Sequence, residues 1–156
     1  MKRLICIGLV VFVGASIVVA PLPARGQGDE DLEKIQLMLL GVIAVHSSSV
    51  IAMEAYRAGL LTKEEATVEV ERNQKFLSVL IKIATRMKER LALDEQADMT
   101  FMQDYLQVCN YAQLALDSLQ TYIDGAKELD RQLFDRYVAK CEETMGRLLK
   151  EKSAEK

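Results

Sequence analysis

"IQLMLLGVIAVHSSSVIAM", residues 35–53, runs for nineteen residues without a charge and holds the only histidine of the chain, His46, near its centre. Two structures are open to such a stretch. It is long enough to span a bilayer, for which about 17–25 apolar residues suffice, and it also has the all-round apolar character of the most buried helix in a soluble bundle. Its composition leaves insertion close to neutral: nine Leu, Ile and Val residues favour the bilayer, while Gln36, His46 and the serines at 47–49 oppose it. What decides is the remainder of the chain, where three further stretches each carry one apolar stripe. Three stripes and a fourth matching helix close a core, so residues 35–53 are read as core.

Working outward, the two prolines, Pro21 and Pro23, both precede this stretch, and none follows it. No downstream helix is therefore broken by a missing N–H. After Gly28 only Gly41, Gly59, Gly125 and Gly146 occur, and no alternating pattern bounded by turn residues suggests a strand. The expected fold class is all-α. The sharpest boundary is "YRAGLLTKEEA", residues 56–66: Gly59 can take the left-handed C′ conformation that ends a helix, and Thr62 with Glu65 makes a capping box for the next. A second break falls in "LALDEQADMTF", residues 91–101, where Asp94 or Asp98 can cap a new helix. The third is "YIDGAKELD", residues 122–130, with Gly125 as C′; the alternative there is a continuous helix carrying a tolerated glycine.

These breaks predict helices near 31–58, 63–92, 95–123 and 126–150, similar in length and joined by short turns. Such helices make an antiparallel up-down-up-down four-helix bundle, here expected over residues 29–152. Seams at three-four spacing run through Ile35, Leu39, Val42, His46, Ser49, Met53 and Tyr56 in the first helix and Val70, Asn73, Leu77, Leu80, Ala84, Met87 and Leu91 in the second. The third gives Tyr105, Cys109, Ala112, Leu116, Leu119 and Ile123, and the fourth Phe134, Tyr137, Cys141, Met145 and Leu148. An internal echo, Tyr56-x-x-Gly59 against Tyr122-x-x-Gly125, fits two helical hairpins of similar design and also fits chance.

Upstream, Met1, Lys2 and Arg3 lead into the apolar run 4–20 and then "PLPARGQG", residues 21–28. A basic start, an apolar run and a small-residue zone come in the order of a secretory signal. Cleavage is expected after Gly26, leaving Gln27 as the new end and a periplasmic or secreted protein. The alternative is a retained anchor in the inner membrane, because Leu4–Ala20 is near the lower length limit of a spanning helix. Cys6 lies inside the run and is not placed for lipid attachment. Removing residues 1–26 takes away three of the 20 basic side chains and none of the 23 acidic ones, leaving a net charge of −6. An acidic surface repels phosphate backbones and anionic headgroups, so no nucleic-acid partner is expected.

His46, Ser49 and Asn73 are the candidate site. In a hairpin turning between Gly59 and Thr62, residues facing each other have numbers totalling about 121, which sets His46 and Ser49 opposite Asn73. The plain reading is a buried polar layer whose members satisfy one another's hydrogen bonds and fix the register. The functional readings are a small-ligand or pH-sensing site. No metal or cofactor is expected, since there is no second histidine, no Glu-x-x-His pair and no Cys-x-x-Cys-His. Cys109 and Cys141, the two cysteines beyond the signal segment, face each other in a hairpin turning at Gly125, and in an oxidising compartment a disulfide between them is expected; the alternative is a pair of buried thiols.

Catalytic residues are not expected. The carboxylates lie among bases in "KEEATVEVER", "KELDRQLFDR" and "KCEETMGRLLKEK", the pattern of solvated helix faces, and the triple serine has no nucleophile elbow around it. The function expected is that of a non-enzymatic extracytoplasmic binding, sensory or structural interaction module, meeting a protein partner or itself through helix faces. The alternatives are a small-ligand carrier using the His46 layer, and a membrane-anchored subunit using Leu4–Ala20 and residues 35–53.

Overall fold

The computed structural model describes the backbone of residues 26–90 and 96–154, and the side chains of residues 34, 35, 37–89 and 99–149. The expected signal segment lies outside the described residues except for Gly26, as does Cys6. Four helices account for almost all that is described: α1 Gly26–Arg57, α2 Lys63–Arg90, α3 Gln96–Gly125 and α4 Glu128–Ala154. Among the described residues there is no strand. The chain divides into two compact units, Met1–Leu37 and Met38–Lys156, with the boundary inside α1. The first is described only as the beginning of that helix. The second contains the remainder of α1 and the other three helices.

The turn after α1 has the form its sequence requires. Gly59 takes φ +68°, and its N–H donates to the Tyr56 carbonyl at 3.0 Å while that of Leu60 donates to Ala55 at 2.8 Å. Both bonds satisfy carbonyls that the end of a helix leaves without partners. Three residues on, the Thr62 N–H donates to Glu65 Oε2 at 2.8 Å and the Glu65 N–H to Thr62 Oγ1 at 3.2 Å, the reciprocal pair of a capping box. The α3–α4 turn departs from expectation by one residue. Gly125 closes α3, and the left-handed residue is Ala126, φ +50°, whose N–H donates to Tyr122 at 2.6 Å. Asp98 falls inside α3 rather than before it, and Asp94 lies outside the described residues.

Within the second unit the inter-helix contacts fix direction. Between α1 and α2, Asn73 Nδ2 donates to Ser48 Oγ at 3.0 Å, and Gly41 lies so close to Leu80 that a Cβ on it would sit 3.0 Å from Leu80 Cδ2. Both pairs obey the expected antiparallel register. Between α2 and α3, Lys63 Nζ reaches Asp124 Oδ1 at 3.0 Å and Gln74 Nε2 donates to Asp117 Oδ1 at 2.9 Å, again with numbers rising on one helix as they fall on the other. Between α3 and α4, Cys141 faces the Val108 carbonyl and Lys140 Nζ lies 5.3 Å from the centroid of the Tyr111 ring.

Helices α1 and α3 run in the same direction and meet directly. The Tyr105 hydroxyl donates to the Met38 carbonyl at 2.9 Å and the Tyr56 hydroxyl to the Ile123 carbonyl at 3.2 Å, each pair 67 residues apart in sequence. Tyr56 and Tyr122 then meet edge to face, centroids 6.1 Å apart, so the two halves of the Tyr-x-x-Gly echo share one end of the parallel pair. The burial pattern agrees. Helix α1 buries Met38, Val42, Val45, Ala52 and Met53, and α3 buries Met102, Tyr105, Val108, Ala115 and Leu119. These faces are wider than the single seams read from the sequence. On α2 the buried line is Ala66, Val70, Asn73, Leu77, Leu80 and Ala84, close to the seam expected, with Met87 only half-buried.

Candidate functional site

His46, Ser49 and Asn73 are all buried, at 8%, 2% and 7% exposure, but their side chains do not bond to one another. Ser49 Oγ donates to the carbonyl of His46, 2.7 Å away on its own helix, a local bond that a serine in a helix readily makes. Asn73 reaches the neighbouring serine, Ser48, instead of Ser49. His46 points the other way, toward α4, where its Nε2 lies 3.2 Å from Glu142 Oε1. A carboxylate only accepts, so Nε2 carries the proton in this contact. The Glu142 side chain is 61% exposed against 10% for that of His46. The expected layer is thus two separate contacts: one bridging α1 and α2, the other running from the interior to the rim between α1 and α4.

Ser48 and Glu142 were not singled out in the sequence. The number of Ser48 with that of Asn73 fits the antiparallel register better than that of His46 or Ser49 does, so the hairpin numbering itself points to this pair. Glu142 carried no such signal, because in "KCEETMGRLLKEK" it reads as one more charge on a wet face.

Cys109 and Cys141 come to the same interface of α3 and α4 and are held there as free, buried thiols. The expected disulfide is not formed in this structure. The Cys109 thiol lies beside the Tyr105 hydroxyl, and Cys141 Sγ is directed at the Val108 carbonyl, 3.8 Å away. Burial disfavours the thiolates, pushing Cys109 up to about 11 and Cys141 up to about 12 from 9.0. Burial likewise lifts the Tyr105 phenol well above its ordinary range, with the neighbouring Cys109 adding to the effect. Neither cysteine has the depressed pKa of a reactive thiol.

Among the described residues, no group of three or more His, Cys, Asp and Glu side chains could hold a metal ion. The segment Leu37–Arg57 is long and apolar enough to cross a membrane by length and composition, a property it shares with core helices of soluble proteins. One surface feature escaped the sequence reading, which gave α2 a single apolar line. A second line, Val68, Phe76, Val79 and Ile83, is exposed, and its own three-four spacing was the signal that could have found it.

The chain matches no protein-family model, and comparison with curated proteins and with solved structures finds no match for it.

Proposed function

We propose that the chain is an exported, non-enzymatic bundle of four helices in antiparallel up-down-up-down order, serving outside the cytoplasm as a binding, sensory or structural interaction module. The observation that carries this reading is the exposed line Val68, Phe76, Val79 and Ile83 on α2. Large side chains aligned at helical spacing and left in water are a surface to be covered. The opposed registers of neighbouring helices support the bundle order, and the Met1-Lys2-Arg3 start before an apolar run supports export. The carrier reading has weaker support: Ser49 and Asn73 are each bonded within the chain, and the ring of His46 is bonded to Glu142. The membrane-anchored subunit remains the second reading, on the strength of Leu37–Arg57.

The test is to express the full chain with its own N-terminus in a bacterial host and fractionate the cells. Release by osmotic shock, with a mass corresponding to a chain beginning at Gln27, is the expected result. An intact chain starting at Met1 and resisting carbonate extraction from the membrane would replace this reading with the anchored one.

A further inference from the structure

Helix α2 carries more apolar surface than its core requires. Val68, Phe76, Val79 and Ile83 are 62%, 46%, 49% and 41% exposed, and with Arg72 they form a line about a third of a turn around the helix from the buried one. The line continues onto α1. Phe76 leans over Gly41, where an added Cβ would lie 3.5 Å from Phe76 Cζ, and on that side of α1 Ala44 is exposed and Ile51 half-buried. The absence of charge from 35 to 53 is therefore not accounted for by the internal core alone.

The charges beside the line distinguish the possible occupants. Glu64, Glu65, Glu69 and Glu71 lie around the line's first end, with Arg72 the one base among them, whereas Lys82 and Arg86 lie by its second end, where no acid occurs from 82 to 88. One end of the line is acidic and the other basic. A lipid surface would have to accept the four carboxylates together with the apolar side chains. A second α2 laid antiparallel sets each acidic end against a basic one, while a parallel one sets like against like.

We propose that this face seats a second copy of the chain, the two α2 helices antiparallel about a two-fold axis passing between Phe76 and Val79. This rests on the interaction-module reading and names its partner. In that register Phe76 faces Val79 of the second copy, Arg72 faces Ile83, and Glu69 faces Arg86, each contact occurring twice by symmetry. Arg72 keeps its ion pair with Glu69 on its own helix and lays its aliphatic stem along the seam.

The experiment is sedimentation of the full chain, as isolated and free of detergent, over a wide concentration range. The wild type is expected to sediment at twice its chain mass. Val79→Glu, which places two carboxylates beside the axis, is expected to weaken association at least about tenfold while leaving helical content unchanged. Glu69→Arg and Arg86→Glu are each expected to weaken it as well, since each sets like charges face to face. Mixing these two variants restores both opposite-charge contacts, so a heterodimer should form where neither variant pairs with itself. That rescue is specific to the antiparallel register and is not produced by non-specific apolar collapse. A wild type that stays monomeric overturns the proposal, whether or not it binds vesicles. So does a dimer indifferent to Val79→Glu, or one that mixing does not restore. A monomer that is nevertheless exported in soluble form would leave the interaction-module reading standing with a different partner, so the two failures are distinguishable.

Discussion

His46 is buried on α1, yet its ring bonds to a carboxylate that is mostly in water. That asymmetry sets what its removal does. In His46→Leu the liberated Glu142 keeps its hydration, so no buried charge is stranded, and an apolar side chain takes a largely apolar site. The expected outcome is a folded protein whose stability in urea is unchanged or raised, within about 1 kcal/mol, because an ion pair with one exposed member is worth little. A loss above about 4 kcal/mol would belong to the exceptional class and would indicate a coupled network or a bound ligand at this position. The burial of His46, Ser49 and Asn73 was legible in the sequence because seam spacing decides which residues face inward. Their partners were not, because a bond depends on which way each side chain leaves its helix. Ser49 had a carbonyl one turn back within reach and took it.

At the scale of the element, the α1–α2 turn was fully legible and the α3–α4 turn was misread by one residue. Gly59 and the Thr62–Glu65 pair are local chemistry, with both members of each interaction within a few residues. At the second turn a glycine stood where a left-handed residue was wanted, but α3 continues through it and places Ala126 there instead. An alanine at positive φ crowds its Cβ against the backbone, so Ala126→Gly is expected to raise stability by up to about 1 kcal/mol after the added flexibility of the unfolded chain is deducted. Gly59→Ala is expected to lower it by about 1 kcal/mol; no atom lies within 4 Å of the added methyl, so the loss comes from the backbone alone. Denaturant midpoints at unchanged slope would measure both. Equal or reversed signs would mean that the two turns do not hold the conformations described.

For the whole molecule, the sequence revealed four helices and the register of the first hairpin but not that α1 and α3 bond directly, since periodicity identifies a buried face and is silent on which helices share it. That direct contact groups the titratable core: the Tyr105 hydroxyl bonded to α1, the Cys109 thiol beside it, and Cys141 across the α3–α4 interface. All three are held protonated by burial, with Cys109 raised to about 11 and Cys141 to about 12. In the unfolded chain the thiols ionise near 9.0. Below that pH both states keep their protons and the full contribution to stability is present; above it the unfolded chain releases protons that the native one retains. Stability is therefore expected to fall as pH rises from about 9 through 11 and 12, by about 1.4 kcal/mol per pH unit for each reduced thiol, with Tyr105 adding to the fall above pH 10. Urea midpoints measured under reductant from pH 7 to 11 should show this decline, and the double variant Cys109→Ala, Cys141→Ala should lose the part that begins at 9 while keeping the part due to Tyr105. Equal slopes for the reduced wild type and the variant would refute the account. The same titration without reductant tests the bridge expected from the sequence, because a disulfide has no thiol proton to release. If the protein as isolated is oxidised at Cys109 and Cys141, its slope between 9 and 10 will match the double variant until reductant is added; if the thiols persist as the structure holds them, reductant will change nothing.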